Sequence, residues 1–224
     1  MDQGREVKAR DQETFCMRLY ERTVLPVLCD RLMRDRHLSE IRRRIVGSAR
    51  GLVLEIGVGS GLNLPLYRLE TVDAVIGLEP SAALREKALS AGRASVVPLQ
   101  LLDARAEAIP VDDRSVDTVL STWTLCSIAP VNTALAEIRR VLKPDGRLLF
   151  AEHGLAPDAY VRMWQRGLTP IWKKIGGGCH LDRPISVMIE RAGFQIEHMS
   201  IGYAPGPKPM RFMYEGSAHI DRST

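Results

Sequence analysis

Three glycines at every second position, Gly57, Gly59 and Gly61, follow a short apolar run over residues 52–56. Glycine lets the backbone take a positive φ and approach a ligand closely, and a helix that begins after such a turn offers unpaired N–H groups to an anion. Glu55 adds a carboxylate near the end of the apolar run, two residues before the first glycine. The pattern predicts a strand, a tight turn and a helix start, which together form a pocket for a nucleotide-type ligand.

The spacing of these residues indicates which kind of nucleotide. A dinucleotide site has the pattern G-x-G-x-x-G and holds a pyrophosphate at the helix N-terminus, whereas this chain has G-x-G-x-G. The Glu55 carboxylate would repel a pyrophosphate, but it suits a ligand with an ammonium group, such as the methionine part of S-adenosylmethionine. The alternative interpretation of the glycines alone is an ordinary glycine-rich loop.

A second acid, Glu79, ends the next apolar run, over residues 75–78. It lies about twenty residues beyond the glycines, the distance at which a βαβ unit places a carboxylate on ribose hydroxyls. Pro80 and Ser81 then begin a helix over 82–91, so Glu79 also fits a role near that helix start. Both roles are compatible.

Alternating strands and helices must position these residues, which indicates a parallel α/β sheet. Further strands are predicted over 95–102, 116–121 and 147–152, further helices over 131–142 and 185–192, and an antiparallel pair over 194–203 and 211–217, joined by residues 205–209. Gly146, in the turn 143–146, is expected to have φ > 0. Ligands of open α/β sheets bind beyond the carboxyl ends of the strands. That edge would collect Glu55, Glu79, Ala106, Thr122 and His153.

The residues before the first strand show apolar positions at helical spacing, which predict two helices between residues 12 and 50. We expect Pro26 near a helix start or kink, Ser39 as the cap of the second helix, and Arg42, Arg43 and Arg44 facing water. This N-terminal helical extension, residues 1–50, could cover the open end of the sheet as a lid. Tyr20 is its best candidate for a ligand contact, although a packed aromatic is the more typical role.

The segment 160–181 interrupts the strand and helix alternation with aromatic residues and a triple glycine, 176–178, before Cys179 and His180. Such an insertion could cover an acceptor. Two tryptophans at helical spacing, Trp164 and Trp172, are more typical of a core.

Composition predicts one compact α/β domain, residues 51–224, behind the helical extension. The 224 residues are 45% hydrophobic and 26% charged, which is ordinary for a globular protein and excludes a disordered or fibrous class. The apolar runs are too short for a membrane span and the first residues lack a signal-peptide core, so we expect a soluble, cytoplasmic protein.

The positions of the cysteines and of the charged residues argue against several kinds of site. Cys16, Cys29, Cys126 and Cys179 are scattered without a C-x-x-C pair, so no metal site or disulfide framework is expected. The formal charge is +4, with basic residues concentrated over 31–50. Because no aromatic residues are interleaved there, a solvated helix face is favoured over a nucleic-acid or anionic-membrane patch.

Four segments in order, LEIGVGSG, GLEP, AEAIPVDDRSVD and EIRRVLKPDGRLLFAEHG, resemble the successive motifs of class I S-adenosylmethionine-dependent methyltransferases, a group that includes the quinone C-methyltransferases. The resemblance spans most of the chain. It implies a Rossmann-like, mostly parallel seven-stranded sheet in the order 3-2-1-4-5-7-6 with strand 7 antiparallel. It also implies S-adenosyl-L-methionine as cofactor and S-adenosyl-L-homocysteine as product.

The segments TLCSIAP, FAEHG, MWQRGLTPIWKKIGGGCHLDRP and MYEG are similar to animal methyltransferase-like proteins described as alkyl-thiol methyltransferases, and to their soluble bacterial relatives. This narrower resemblance implies a small thiol as methyl acceptor. The animal proteins have a hydrophobic N-terminal membrane segment, which is lacking here, so their membrane location is not carried over.

By residue, the class resemblance places the three glycines around the methionine moiety, with Glu55 near its ammonium group and Asn63 just beyond. It places Glu79 on the ribose, with Pro80 beside it. Many relatives bind the adenine amine with an aspartate before the A-E pair, but this chain has Arg105 there. Adenine recognition is therefore left to the backbone of Ala106 or to Glu107. Thr122 is the remaining cofactor-binding candidate.

Methyl transfer from a sulfonium is an in-line displacement, for which the protein mainly supplies positioning. A free alkyl thiol, with a pKa of ~8.5, is only a few per cent ionised at neutral pH, so a nearby base or positive field would help. His153 and His180 are the candidate bases, with Arg183 and Tyr20 as electrostatic or hydrogen-bonding partners. His153 fits a strand-end histidine bonded to backbone equally well, and Cys126 is more typical of a buried, inert thiol.

Three alternatives remain open. A quinone-type C-methyltransferase would share every cofactor motif, and a phospholipid N-methyltransferase would use the basic face over 31–50 at a membrane. A cofactor-binding regulatory module without catalysis is the non-enzymatic alternative. We expect a small-molecule acceptor, no nucleic-acid partner, and a monomer or homodimer.

Overall fold

The computed structural model describes Tyr20 and residues 23–221. The helices are α1 (Leu25–Met33), α2 (Arg36–Val46), α3 (Ala82–Gly92), α4 (Val131–Val141), α5 (Ala159–Ile175) and α6 (Ile185–Arg191). The strands are β1 (Gly51–Ile56), β2 (Val72–Leu78), β3 (Leu99–Leu102), β4 (Val116–Thr122), β5 (Leu142–His153), β6 (Phe194–Tyr203) and β7 (Phe212–Ile220). The part of the predicted helical extension before residue 23, Tyr20 apart, and Cys16 with it, lies outside the described residues.

The strands form one seven-stranded sheet in the order β3-β2-β1-β4-β5-β7-β6. The first five pair in parallel, while β7 lies antiparallel between β5 and β6. The predicted fold is confirmed. Because β1 and β4 are neighbours at the centre, the loops that follow them meet at one edge of the sheet.

Helices cover both faces of this sheet. Successive side chains of a strand point to opposite faces, and accordingly Leu54 of β1 belongs to one buried cluster while Val53 belongs to the other. The first cluster includes Ile138 of α4, and the second includes Ile45 of α2 and Ala88 of α3. The strand ends are thereby held between two packed layers.

Helix α2 differs from its prediction at both its cap and its polar face. Asp35 caps it, accepting hydrogen bonds from the backbone N–H groups of His37 and Leu38, whereas the Ser39 hydroxyl donates to the Asp35 carbonyl. The cap is therefore one turn earlier than predicted. Arg42 was expected to face water but is buried.

Three other expectations are wrong. Gly146 is not among the described glycines with positive φ; a Cβ there would instead lie 3.1 Å from the Asp117 carbonyl oxygen, so close packing is the reason for glycine. Strand β3 begins at residue 99, directly after Pro98, which has no N–H for a ladder. Trp164 does not join the core, because it is 46% exposed and meets Tyr160 edge-on at the surface.

Helix α1 contacts the loops at the carboxyl edge of the sheet. The Ser60 hydroxyl, in the glycine turn, donates to the Asp30 carboxylate of α1. On the other side, a Cβ at Gly177 would lie 3.1 Å from Leu25 of α1. The extension therefore touches both the glycine turn and the segment that follows α5. Among the helices described, none has both the length and the apolar character needed to cross a bilayer.

Candidate active site

The glycine turn after β1 is present as predicted, but the helix expected to begin after it is limited to a single 3-10 turn, Leu64–Leu66, which contains Pro65. Gly57, Gly59 and Gly61 have φ values of 66°, 58° and 82°, in the left-handed region that L side chains rarely adopt. A Cβ at Gly57 would collide with Thr124 Oγ1 at 2.5 Å, whereas a Cβ at Gly59 would meet only a carbonyl oxygen 3.8 Å away. The backbone at Gly59 thus borders open space, as a ligand cradle requires.

Glu55 lies near the end of β1 and is fully buried. One carboxylate oxygen accepts from Asn63 Nδ2 at 2.8 Å and the other from the Tyr67 hydroxyl at 2.7 Å. Burial raises the pKa of Glu55 from 4.5 to about 7, although both hydrogen bonds and the charge of Arg42 oppose the shift. With this pKa, Glu55 is about half ionised at pH 7. It orients Asn63, whose amide also reaches Thr122 Oγ1 at 3.1 Å.

Glu79 connects the end of β2 to the glycine turn. Its carboxylate accepts from the backbone N–H groups of Gly59, at 3.0 Å, and Ser81, at 2.9 Å. Burial raises the pKa of Glu79, partly offset by these two bonds. Each oxygen retains a second lone pair for a further donor. Ser81 caps α3, so the helix-start role holds as well.

The loop that follows β3 carries the adenine candidates. Ala106 is buried and Glu107 is partly buried, whereas Arg105 is exposed. Pro80, between Glu79 and α3, is also exposed. An exposed Arg105 agrees with the expectation that its side chain does not replace the usual aspartate.

Three buried side-chain atoms in the described part of the chain have no hydrogen-bond partner: Arg42 Nε, Asn63 Oδ1 and Trp123 Nε1. All three belong to the surroundings of Glu55. Asn63 bonds to Glu55 directly, and the Arg42 guanidinium stacks on the Trp123 ring at 5.0 Å from its centroid. Burial lowers the pKa of Arg42 to about 10, so it stays charged at neutral pH.

These unsatisfied groups fit the amino-acid end of S-adenosylmethionine. Two donors, Arg42 Nε and Trp123 Nε1, match a carboxylate, and the Asn63 Oδ1 acceptor matches an ammonium group. An unpaired buried polar group costs about 1–3 kcal/mol, which a bound ligand would remove. The residues present therefore fit the cofactor.

A second group of side chains follows β4 and β5. Cys179 Sγ lies 3.0 Å from His153 Nε2 and 3.8 Å from Cys126 Sγ, and all three residues are buried. Burial alone would lower the pKa of His153, but interactions with Cys126 and Glu152 raise it. Hydrogen bonding with Cys179 and burial raise the pKa of Cys126 well above its usual range.

Glu152, which sequence reasoning missed, holds the loop that carries Cys126. It is fully buried, and its carboxylate accepts from the Ser121 hydroxyl and from the backbone N–H groups of Thr124, Leu125 and Cys126. Its only signal in the sequence is an acid in the apolar strand before His153. Such an acid needs local partners to remain buried.

Two further catalytic candidates, Arg183 and His180, contact the loop that carries Cys126. The Arg183 guanidinium donates to the Leu125 and Ile128 carbonyls. The His180 backbone N–H donates to the Cys126 carbonyl at 2.9 Å, which joins the segment after α5 to the loop after β4.

The side chains of His180 and Tyr20 are the remaining catalytic candidates. Burial, and then the charges of Arg183 and Lys173, lower the pKa of His180, so its imidazole is neutral at pH 7. The Tyr20 hydroxyl donates to the Ile175 carbonyl at 2.8 Å.

The structure thus brings most of the predicted site residues to one edge of the sheet, in two groups. The predicted cofactor-binding residues that lie there are Glu55, Gly57, Gly59, Gly61, Asn63, Glu79 and Thr122, and the predicted acceptor residues are His153, His180 and Arg183. Arg42, Tyr67, Trp123 and Glu152 were missed, because each acts through a contact with a residue distant in the sequence. For Arg42 the available signal was its position on the apolar face of α2, beside Leu38 and Ile45.

Comparison with known proteins identifies relatives of this chain. A family model described as a methyltransferase domain matches residues 54–150. Human thiol S-methyltransferase TMT1B is 32% identical over 183 residues, which cover 80% of this chain and 72% of the human protein. The rat thiol S-methyltransferase TMT1B is 36% identical over 160 residues, covering 69% of this chain and 64% of the rat protein.

The solved structures agree on the fold. A crystal structure of an S-adenosylmethionine-dependent methyltransferase from Thermotoga maritima, described as a possible histamine N-methyltransferase, superposes with a TM-score of 0.65 at 21% identity. The match covers 92% of this chain and 99% of that one. Together with the sequence relatives and the family model, it shows that this chain belongs to the S-adenosylmethionine-dependent methyltransferases.

Proposed function

We propose that this methyltransferase transfers the methyl group of S-adenosylmethionine to the sulfur of a small thiol. The observation that carries the proposal is the 32% identity with human thiol S-methyltransferase TMT1B over 183 residues. That match is longer than the methyltransferase domain at 54–150, so it includes residues outside the shared cofactor-binding motifs. The chain spans 64% of the length of the rat relative. The acceptor of this chain is therefore to be identified by measuring methyl transfer directly.

The cofactor supplies an activated methyl group on a sulfonium sulfur. In the proposed complex, Arg42 and Trp123 bind the carboxylate of its methionine part, and Asn63 accepts from the ammonium group. Glu79 accepts from the ribose hydroxyls with its free lone pairs. The open space at Gly59 lets the backbone approach the ligand without a Cβ between them.

The side chains that follow β4 and β5 provide buried, polarisable and weakly charged surroundings, which suit a thiol acceptor. Cys126, His153 and Cys179 line this region, and the Arg183 guanidinium lies behind the loop. The neutral imidazole of His180 is in the form that can take a proton from an incoming thiol. With the acceptor aligned behind the methyl group, positioning alone contributes roughly 7–11 kcal/mol to lowering the barrier.

The test is transfer of labelled methyl from S-adenosylmethionine to a panel of acceptors. The panel contains sulfide, methanethiol, longer alkyl thiols, a quinol precursor and phosphatidylethanolamine. We expect labelled methanethiol from sulfide, labelled thioethers from methanethiol and the longer thiols, and no product from the quinol precursor or phosphatidylethanolamine. Label in the quinol or the lipid alone would contradict the thiol proposal and leave the methyltransferase assignment in place.

A matched pair of variants separates cofactor binding from acceptor chemistry. Glu79→Ala should weaken cofactor binding measured by calorimetry, whereas His180→Ala should lower the thiol turnover with unchanged cofactor affinity. An exposed histidine on β6, His198, provides the control substitution. If tight cofactor binding were accompanied by no turnover with any acceptor, the chain would instead be a cofactor-binding regulatory module.

A further inference from the structure

Two thiols and an imidazole from three separate parts of the chain meet at the carboxyl ends of β4 and β5. Cys126 follows β4, His153 ends β5, and Cys179 follows α5. Their ligand atoms all lie within 4.8 Å of one another. We propose that Cys126, His153 and Cys179 bind one Zn²⁺ ion, whose fourth position takes the sulfur of the acceptor thiol; the second part of this proposal rests on the proposed function.

The distances in the cluster suit a tetrahedral ion. Zn–S bonds of about 2.3 Å place two sulfur ligands about 3.8 Å apart in a tetrahedron. The sulfur atoms of Cys126 and Cys179 are 3.8 Å apart. The 3.0 Å contact between Cys179 Sγ and His153 Nε2 would have to open by about half an ångström to match Zn–S and Zn–N bonds. Only a small side-chain adjustment is therefore needed.

The charge balance also favours a divalent cation. Metal binding deprotonates the two thiols, and two thiolates with one Zn²⁺ carry no net formal charge. A neutral group is compatible with burial, whereas isolated thiolates in the same place would be costly. Two nearby charges, Glu152 and Arg183, are opposite in sign and already bound to the backbone of the Cys126 loop. Both thus hold the ligand loop in place.

The triple glycine after α5 brings Cys179 into the cluster. Gly177 and Gly178 have φ values of 62° and 85°, and a Cβ at Gly178 would lie 3.1 Å from the Ser127 carbonyl oxygen. The segment therefore reverses direction against the Cys126 loop in a way that L side chains would hinder. This gives the glycine run a role that the sequence pattern left unexplained.

Three protein ligands and an open fourth position are typical of catalytic rather than structural zinc. An acceptor thiol that binds there gives its proton to the imidazole of His180 and becomes a thiolate. The electron pair on its sulfur then forms the new S–C bond to the methyl carbon. The old C–S bond breaks at the same time, and its electron pair stays on the sulfur of the departing S-adenosylhomocysteine.

The first experiment measures metal content in untagged protein purified without chelator and supplied with Zn²⁺. We expect about one zinc ion per chain, and a loss of most of it in Cys126→Ser, Cys179→Ser and His153→Ala. Cys29→Ser is the control, because Cys29 is the described cysteine outside the cluster, and it should retain the metal. Parent protein without zinc, or equal zinc in all variants, would overturn the proposal.

The second experiment replaces zinc with Co²⁺ and records the absorption spectrum. Thiolate-to-cobalt charge transfer should appear in the parent and weaken in either cysteine variant, even if a variant has lost activity. Added alkyl thiol should intensify that band as a third sulfur binds. A mass lower by two hydrogens, indicating a Cys126–Cys179 disulfide in the purified protein, would contradict the metal site.

Different results would contradict the thiol acceptor and the zinc site. Bound metal in a protein that methylates no thiol would leave the zinc site standing and refute the proposed acceptor. Equal thiol methylation by metal-free and metal-loaded protein would support the acceptor and refute the role of the fourth position.

Discussion

Arg42 shows how a single residue can connect a charged helix to a ligand site. It lies in a run of arginines, yet its guanidinium is buried against Trp123 and its Nε has no partner. A buried cation without a carboxylate bound to it is costly, and the protein retains it beside the glycine turn. We propose that the cofactor carboxylate occupies this position and removes the cost.

Arg42→Met should therefore weaken S-adenosylmethionine binding. Loss of a hydrogen bond between charged groups costs about 1.5–3 kcal/mol, equivalent to a roughly 10–150-fold higher Kd by calorimetry. Arg43→Met, at the exposed neighbouring position, should leave the Kd unchanged. Methylthioadenosine lacks the carboxylate, so its affinity should be equal in the parent and Arg42→Met; a parallel loss would show that Arg42 only supports the fold.

Glu55 should make stability depend on pH. Its pKa is raised from 4.5 to about 7 in the folded protein, so the folded state holds the proton more tightly than the unfolded state. The free energy of unfolding should fall as the pH rises from 4.5 to about 7, and this residue contributes about 3 kcal/mol to that fall.

The measurement is urea unfolding across that pH range. Glu55→Gln should have a flatter profile than the parent, while Glu86→Gln, at an exposed position of α3, should keep the parent slope. Identical slopes for all three proteins would mean that Glu55 is not perturbed. S-adenosylmethionine, which is positively charged, should favour the ionised carboxylate and reduce the pH dependence.

At the scale of elements, the turn after β1 depends on backbone conformation. Gly57→Ala combines a φ of 66° with a Cβ 2.5 Å from Thr124 Oγ1. We expect it to lower the free energy of unfolding by at least ~2 kcal/mol, from the left-handed conformation and overpacking together. Cofactor affinity should fall as well, because the turn must shift.

Gly167, in the middle of α5, is the matched control. A Cβ there would meet nothing within 4 Å, so Gly167→Ala should stabilise the protein by about 0.5–1 kcal/mol through helix propensity. Urea unfolding measures both variants. Equal effects at the two positions would contradict the assignment of Gly57 as a residue needed for the turn.

The elements differ in how well the sequence predicts them. The glycine turn, the Glu79 position and the strand order follow from local spacing and from family motifs, so they were predictable. The cap of α2 was misplaced because Asp35 and Ser39 are both good cap residues, one turn apart. The site contacts of Arg42 and Cys179 were not predictable, since they depend on packing between segments far apart in the chain.

At the scale of the whole molecule, cofactor binding joins several separate segments and should stabilise the fold as a unit. At a ligand concentration of about 100 Kd, S-adenosylhomocysteine contributes about 2.7 kcal/mol, which corresponds to a rise in Tm of roughly 5–11 °C for a chain of this size. Adenosine alone should give a smaller rise, and Glu79→Ala should reduce the effect. No shift at saturating ligand would contradict the cofactor site.

The position of β7 determines when the sheet can be completed during synthesis. β7 is the last strand described, yet it lies between β5 and β6. Until it has left the ribosome, one edge of β5 has no hydrogen-bonding partner, although its side chains from Leu148 to Ala151 are almost fully buried in the folded protein. An open, apolar edge is a template for aggregation. Translation that stops between residues 153 and 212 should therefore yield chains that need chaperones, even though every cofactor-binding motif has already been made.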